Sequence, residues 1–379
     1  MAENNLPLIS DAPPASLAGK TVLLRLDLNV PILNGQVGDD FRLEKVLPTI
    51  ELLRARGARL VMLGHLGDSQ ATLAPVADYF SRLFPVQFVP NLEELSKAKL
   101  SAPIETILCL ENLRHDAGEK SNDGAFAARL AAMGDIYVNE AFASSHREHA
   151  SIVGLPRLLP SYAGLLLAEE VQNLSRVFKA GHPFVVILGG AKFKTKLPLM
   201  KKLIGQVDQI FVYGALAHSF FQELGYELGQ SLVDEDHAVA RPFLNHPKIM
   251  LPVDVRVKNA EKIFIKTPDK LVKTDTILDV GLLSVERLLP AIHGANFILW
   301  NGPIGNFELG FRRSTEAAAK FVADSNATSI IGGGDTVAAI RALDLLNQFD
   351  FVSTGGGAML DFIASGTLPG IEALKNSKI

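Results

Sequence analysis

An apolar run, Phe184-Val185-Val186-Ile187-Leu188, passes directly into Gly189-Gly190-Ala191, and Lys192, Lys194 and Lys196 follow where a helix would begin. Glycine lets backbone approach an anion closely, a helix N-terminus offers unpaired N–H groups, and lysine adds full charge, so this segment reads as a phosphate seat. Lys192 and Lys196 are four apart and share a helical face, while Lys194 points elsewhere. The plainer alternative, a solvated lysine face after a tight turn, stays open from sequence. The construction recurs at Ile331-Gly332-Gly333-Gly334-Asp335-Thr336 and at Ser353-Thr354-Gly355-Gly356-Gly357. Three such turns at strand ends predict a polyphosphate ligand. Asp335, a carboxylate where phosphates would meet backbone donors, makes sense with a magnesium ion between them; as an ordinary side chain it would be a helix N-cap. Trp300-Asn301-Gly302-Pro303-Ile304-Gly305-Asn306-Phe307-Glu308 is a further strand-end loop, with Glu308 as an acceptor for a sugar hydroxyl. Neither GxxxxGK[ST] nor GxGxxG occurs, which disfavours P-loop kinases and Rossmann dehydrogenases.

The first half carries a different chemistry. In Leu24-Arg25-Leu26-Asp27-Leu28-Asn29-Val30-Pro31 the polar residues alternate with leucines, so a strand would put Arg25, Asp27 and Asn29 on one face. Pro31 leaves room for the competing view, the solvated face of an edge strand. Arg42, His65, Arg114 and Arg147, the last with His146 and His149, each come at or shortly after an apolar strand candidate. Loops of that kind gather at one edge of a parallel sheet, which predicts an anion basin, although each arginine taken singly is an ordinary surface residue. The histidines lack the spacing of HExxH or Cys-His metal motifs.

The elements that must position these groups are short Val/Ile/Leu runs alternating with longer helical stretches, the pattern of parallel strands with helical crossovers: an α/β fold. Strands are expected at 21–28, 59–63, 87–89, 107–110, 136–138, 184–188, 209–212, 248–250, 277–279, 296–300, 329–331 and 350–352. A helix is expected over 163–179, ended by Gly181 and Pro183, linking two halves. The chain's 379 residues are too many for one ordinary core, and 48% apolar against 21% charged residues can fill two. A net charge of -4 argues against a general nucleic-acid or polybasic membrane role. The single cysteine, Cys109, sits in an apolar run and reads as a buried inert thiol. The N-terminal MAENNLPLIS lacks a signal-peptide pattern, and no apolar run is long enough to span a bilayer, so the cytoplasm is expected.

Assembled in order, LLRLDLNVP, GHLG, ENLR, VNEAFASSHREHAS, ILGGAK, WNGPIGNFE, IIGGGDT, STGGGA and the terminal LPG resemble the successive landmarks of the phosphoglycerate kinase family, from about residue 20 to the end. The resemblance implies two Rossmann-like three-layer domains with parallel sheets, joined by a hinge helix around a central cleft. It implies that residues 1–165 with 366–379 hold phosphoglycerate and that 166–365 hold ATP or ADP with Mg2+, in a monomer. The reaction implied is reversible phosphoryl transfer between 1,3-bisphosphoglycerate and ADP. Carried over by position, Asp27, Asn29, Arg42, His65, Arg114 and Arg147 hold phosphoglycerate. Gly190, Ala191, Lys192, Lys196, Gly214, Asn301, Glu308, Gly333, Asp335 and Thr336 hold the nucleotide, with Asp335 as the metal ligand. Arg42 and Lys192 stabilise the phosphoryl group in flight.

Departures from the family pattern are Asp68 where an arginine is usual, in a shortened loop after His65, Thr195 and Glu140 for aspartates, Ala143 for a glycine, Tyr213 and Ala215 in a glycine run, and Asn306 for an aliphatic residue. Asp68 predicts weakened phosphoglycerate binding. It also leaves room for two alternatives, a relative acting on another small acid and a non-catalytic nucleotide-binding paralogue. The retained cations argue against the second.

Overall fold

The computed structural model describes residues 6–191 and 193–377, the side chain of Phe193 excepted. The chain divides into two compact units, Met1–Gln172 with Thr367–Ile379, and Asn173–Gly366.

The first unit is built on six parallel strands. In spatial order they are Val86–Val89, Ile107–Leu110, Arg59–Leu63, Thr21–Arg25, Ile136–Asn139 and Ser161–Ala163. Thr21–Arg25 is central and buried along its whole length, so the edge-strand reading of this segment fails. It also stops at Arg25: Asp27 and Asn29 lie beyond its end, which delivers them to the loop edge of the sheet. Leu24, Leu26, Leu43, Ile50, Met62, Phe80 and Val138 belong to one apolar core on one side of this sheet. Cys109 is buried in it, and desolvation pushes its thiol up to about 12, as an inert cysteine requires.

The second unit repeats the plan with Ile249–Met250, Gln209–Val212, Phe184–Leu188, Phe297–Asn301, Thr328–Gly332 and Phe351–Val352, all parallel. Ile187, Ile298, Trp300, Ile331 and Leu288 pack in its core. The segment expected as a parallel strand at 277–279 is instead part of Asp275–Val280, one edge of a small antiparallel sheet with Val255–Asn259 and Lys262–Lys266. Those two partners, and Ser161–Ala163, are not among the expected strands; each offers an apolar run of at most three residues, flanked or interrupted by polar ones.

The helix expected over 163–179 is an α-helix at Leu165–Ser175 continued by a 3-10 turn at Arg176–Lys179. Its N-terminus is held inside the first unit. The buried Glu140 carboxylate accepts from Leu166 N (3.0 Å) and Leu167 N (3.2 Å) and from the Thr49 hydroxyl, which itself accepts from Leu165 N (3.0 Å). The C-terminal helix Pro369–Lys375 docks on the first unit, with Gly370 N donating to Ser145 O (2.9 Å) and no room for a side chain at Gly370 beside Ile152 and Ser145. Among the described residues no helix is long and apolar enough to cross a membrane.

Candidate active site

In the second unit the strand-end turns are joined backbone to backbone. Gly189 N donates to Asn301 O, Gly190 N to Pro303 O, Tyr213 N to Leu188 O and Leu216 N to Gly190 O, at 2.8 to 3.0 Å. A Cβ on Gly189 would lie 2.0 Å from Pro303 O, and one on Gly214, whose φ is +61°, 2.9 Å from Gly190 N. These glycines are therefore demanded by close approach of the turns. The helix Phe193–Leu203 follows; Lys192, expected to carry chemistry, lies outside the described residues. Lys196 is buried, its Nζ brought back over Gly190, while Lys194 is exposed and pairs with Asp236 at 3.7 Å. The solvated-lysine reading thus holds for Lys194 and fails for Lys196.

Around these turns lies a cavity, and Gly190, Ala191, Gly214, Glu308 and Asp335 line it. Apolar walls come from Phe221, Leu232, Val255 and Ile277, with His218, Asp279 and Asn306 among them. The helix Gly334–Ala342 starts at its edge with no side-chain cap, since its N-cap residue is Gly333 at φ +99°. Asp335 is in the first turn, so it is not the N-cap. The wall around it withdraws enough water to push its carboxyl up, and the Glu308 charge adds to the push. Thr336 is fully buried and its Oγ1 has no hydrogen-bond partner among the described residues. Asn301 is buried, and among the described residues its amide N–H reaches only the Met359 sulfur, at 3.8 Å. A cation would relieve the Asp335–Glu308 repulsion, and an orphaned hydroxyl at a helix N-terminus suits phosphate or metal. No cluster of three or more His, Cys, Asp or Glu that could hold a metal occurs among the described residues. The third turn, Gly355-Gly356-Gly357, does not line this cavity; its helix Gly357–Ser365 packs on Phe193–Leu203.

In the first unit the anion-binding candidates do assemble. His65 is buried, and Arg25 Nη2 lies 3.0 Å from its Nδ1. A guanidinium can only donate, so Nδ1 accepts and the neutral ring carries its proton on Nε2. Burial first, then Arg25, Arg114, Arg147 and His149, hold this imidazole far below its ordinary range. His149 is lowered to about 4 by burial and then by the same three arginines, and Arg114 is lowered by burial, Arg147 and Arg25. After burial, the cause these shifts share is repulsion from neighbouring cations, which a bound anion would relieve. Asp27 is buried and pairs with Arg42 at 3.3 Å; Arg42 also donates to Asn29 O (2.9 Å). Asn29 Oδ1 accepts from Gly67 N (2.9 Å), and Arg114 donates to Gly67 O, so the loop after His65 is stitched to the arginines. Arg147 is exposed, with Nε 3.2 Å from His146 Nε2.

Arg25 is visible in the alternating pattern but is not among the expected ligands. It is fully buried, held by Ser151 Oγ (2.9 Å) and Leu26 O, and Ser151 is held by the buried Glu119 (2.6 Å). Its contact with the basin is through His65. His218 and Asp279 of the second-unit cavity leave no signal in the sequence, since nothing local marks a helix or strand residue as facing a cavity.

A cation basin at the loop edge of one α/β unit and a glycine-turn cavity with a carboxylate at a helix N-terminus in the other define a phosphotransferase for a small anionic substrate. The chain belongs to the phosphoglycerate kinase family, whose model matches residues 11–366. It is 40% identical over 379 residues to the phosphoglycerate kinase of Thermus thermophilus, covering 94% of this chain and 97% of that one. It is 37% identical over 390 residues to that of Dictyoglomus turgidum, covering 97% and 98%. Among solved structures it is similar to phosphoglycerate kinase from Coxiella burnetii (TM-score 0.81, 36% identity, 98% of this chain and 100% of that one). The Pyrococcus horikoshii enzyme gives TM-score 0.87 at 29% identity, covering 97% and 98%.

Proposed function

We propose that this chain catalyses the reversible transfer of a phosphoryl group between 1,3-bisphosphoglycerate and ADP, giving 3-phosphoglycerate and ATP, as a glycolytic phosphoglycerate kinase. The family match along nearly the whole chain carries this reading. The acceptor is a carboxylate, already ionised near neutral pH, so the reaction needs positioning and charge neutralisation and no general base.

The roles divide between the units. Residues 1–165 with 366–379 hold phosphoglycerate through Asp27, Asn29, Arg42, His65, Arg114 and Arg147, supported by the crowding of cations about His65. His65 Nε2–H donates to the anion, and Asp27 orients Arg42. Residues 166–365 hold the nucleotide: Gly190, Ala191 and Gly214 at the turns, Lys196 and Thr336 toward phosphate, Glu308 toward the ribose, with Asn301 and Gly333 behind them. Asp335 would hold Mg2+ together with the nucleotide phosphates, and the ion would neutralise phosphate charge there. Lys192 and Arg42 stabilise the phosphoryl group in flight. The chain acts as a cytoplasmic monomer, consistent with a lone, buried cysteine.

The test is ATP consumption by the purified protein with magnesium and 3-phosphoglycerate, trapping the acyl phosphate, with Lys192→Ala as control. Turnover that requires 3-phosphoglycerate and collapses in the variant is expected. Nucleotide binding without any such turnover would overturn the reading.

A further inference from the structure

The apolar end of the second-unit cavity contains a hydrogen-bonding pair with a definite polarity. His218 lies on the helix Gly214–Glu223, buried, with Nδ1 2.7 Å from the carbonyl oxygen of Leu232. A carbonyl can only accept, so Nδ1 carries the proton and Nε2 presents a lone pair. Burial lowers the ring to about 4, which keeps it neutral at pH 7. Nε2 makes no hydrogen bond to any described residue, and the ring lines the cavity beside Phe221 and Leu232. Asn306 lines the same cavity. Its Oδ1 accepts from Leu309 N at 3.2 Å, which orients the amide and leaves Nδ2–H as the free end. Asp279, also buried in the wall, is already engaged by Val280 N (2.9 Å) and Ser314. Apart from the Glu308 and Asp335 carboxylates, His218 Nε2 and Asn306 Nδ2 therefore offer this cavity an acceptor and a donor with no partner among the described residues.

Resting on the reading that this cavity holds the nucleotide, we propose that His218 and Asn306 select the base. Nε2 of His218 accepts from the exocyclic 6-amino group of a purine, and Nδ2 of Asn306 donates to the adjacent unprotonated N1. A 6-oxopurine reverses both polarities: its oxygen faces the imidazole lone pair, and its N1–H faces the amide N–H. With the buried His218 held in one tautomer and the Asn306 amide oriented by Leu309 N, such an analogue leaves these groups unpaired or opposed.

The experiment is calorimetric binding of ADP and IDP, which differ only in the 6-amino against the 6-oxo group and its N1 proton, to wild type, His218→Phe and Asn306→Val. Binding needs no phosphoglycerate, so the ratio is readable even if turnover fails. Wild type should prefer ADP by about tenfold or more, the value of one buried hydrogen bond. Each variant should erode that preference several-fold; Asn306 is exposed, so its replacement does not threaten the fold. A wild-type preference below about twofold, or one that survives both substitutions, overturns the proposal. Failure to bind either nucleotide overturns it together with the nucleotide reading, whereas ADP binding without phosphoglycerate-dependent turnover overturns the kinase reading alone.

Discussion

Asp68 is the residue expected to change a site from beside its ligands. The loop it occupies is tied to the basin through Gly67, whose N–H is held by Asn29 and whose carbonyl is held by Arg114. Asp68 itself is exposed, with Oδ1 accepting from Gln70 N at 2.9 Å and its carbonyl held by Asn112 Nδ2 at 2.8 Å. A negative charge thus sits one residue from the basin. Charges about 4 Å apart interact by roughly 4 kcal/mol at an effective dielectric near 20, and by much less when water intervenes. Asp68→Arg should therefore lower the KM for 3-phosphoglycerate by roughly three- to tenfold, with Asp68→Asn in between; steady-state kinetics checks this, and an unchanged KM would show that the charge is not felt. Thr336 permits a test in which structure and function predict opposite signs. Its Oγ1 is buried and without a partner, so Thr336→Val should leave stability unchanged or raise it. If the hydroxyl serves the nucleotide phosphates, ADP affinity should nonetheless fall, by about tenfold, in a calorimetric titration.

At the scale of the element, the linking helix Leu165–Ser175 starts on a carboxyl that is not in its ordinary state. Three donors, the N–H groups of Leu166 and Leu167 and the Thr49 hydroxyl, favour the charged form of Glu140, but complete burial outweighs them and pushes its carboxyl up to about 7. Because the folded value exceeds the unfolded one, near 4.5, the stabilising contribution is full below about pH 4.5 and is lost as pH rises through about 7. Glu140→Gln fixes the neutral form. Measured by urea unfolding, the stability of that variant relative to wild type should improve by roughly 2–3 kcal/mol between pH 4.5 and 8, since a tenfold difference in proton affinity between folded and unfolded chain is worth about 1.4 kcal/mol. A difference that does not change with pH would mean that Glu140 ionises normally.

At the scale of the molecule, the chain passes from the first unit to the second inside that helix, between Gln172 and Asn173, and returns at Gly366–Thr367. With phosphoglycerate proposed on one unit and nucleotide on the other, we propose that this helix, which joins them, carries the motion that brings the substrates together. Gln172→Pro, which removes a helix hydrogen bond, should lower kcat about tenfold while the separate affinities for ADP and 3-phosphoglycerate change by less than about twofold. Retained binding would show that each unit still folds; unchanged turnover would exclude the helix as a hinge.

The parallel α/β architecture, the strand-end origin of nearly every candidate ligand and the order of the glycine turns were legible in the sequence, because apolar runs and glycines are local signals. Arg42, His65 and Arg114 could be named from their place after strands, and Glu308 and Asp335 from their place in turns. Tertiary structure alone decided which of these meet. It buried Lys196 while leaving Lys194 in solvent, kept the turn at Gly355 out of the cavity, and brought Arg25 and Glu119 in behind His65. It also aimed His218, an unremarked residue in a helix, into an apolar pocket. The physical reason is that facing, burial and hydrogen-bond polarity arise from contacts between residues far apart in the chain, and no window of sequence contains both partners.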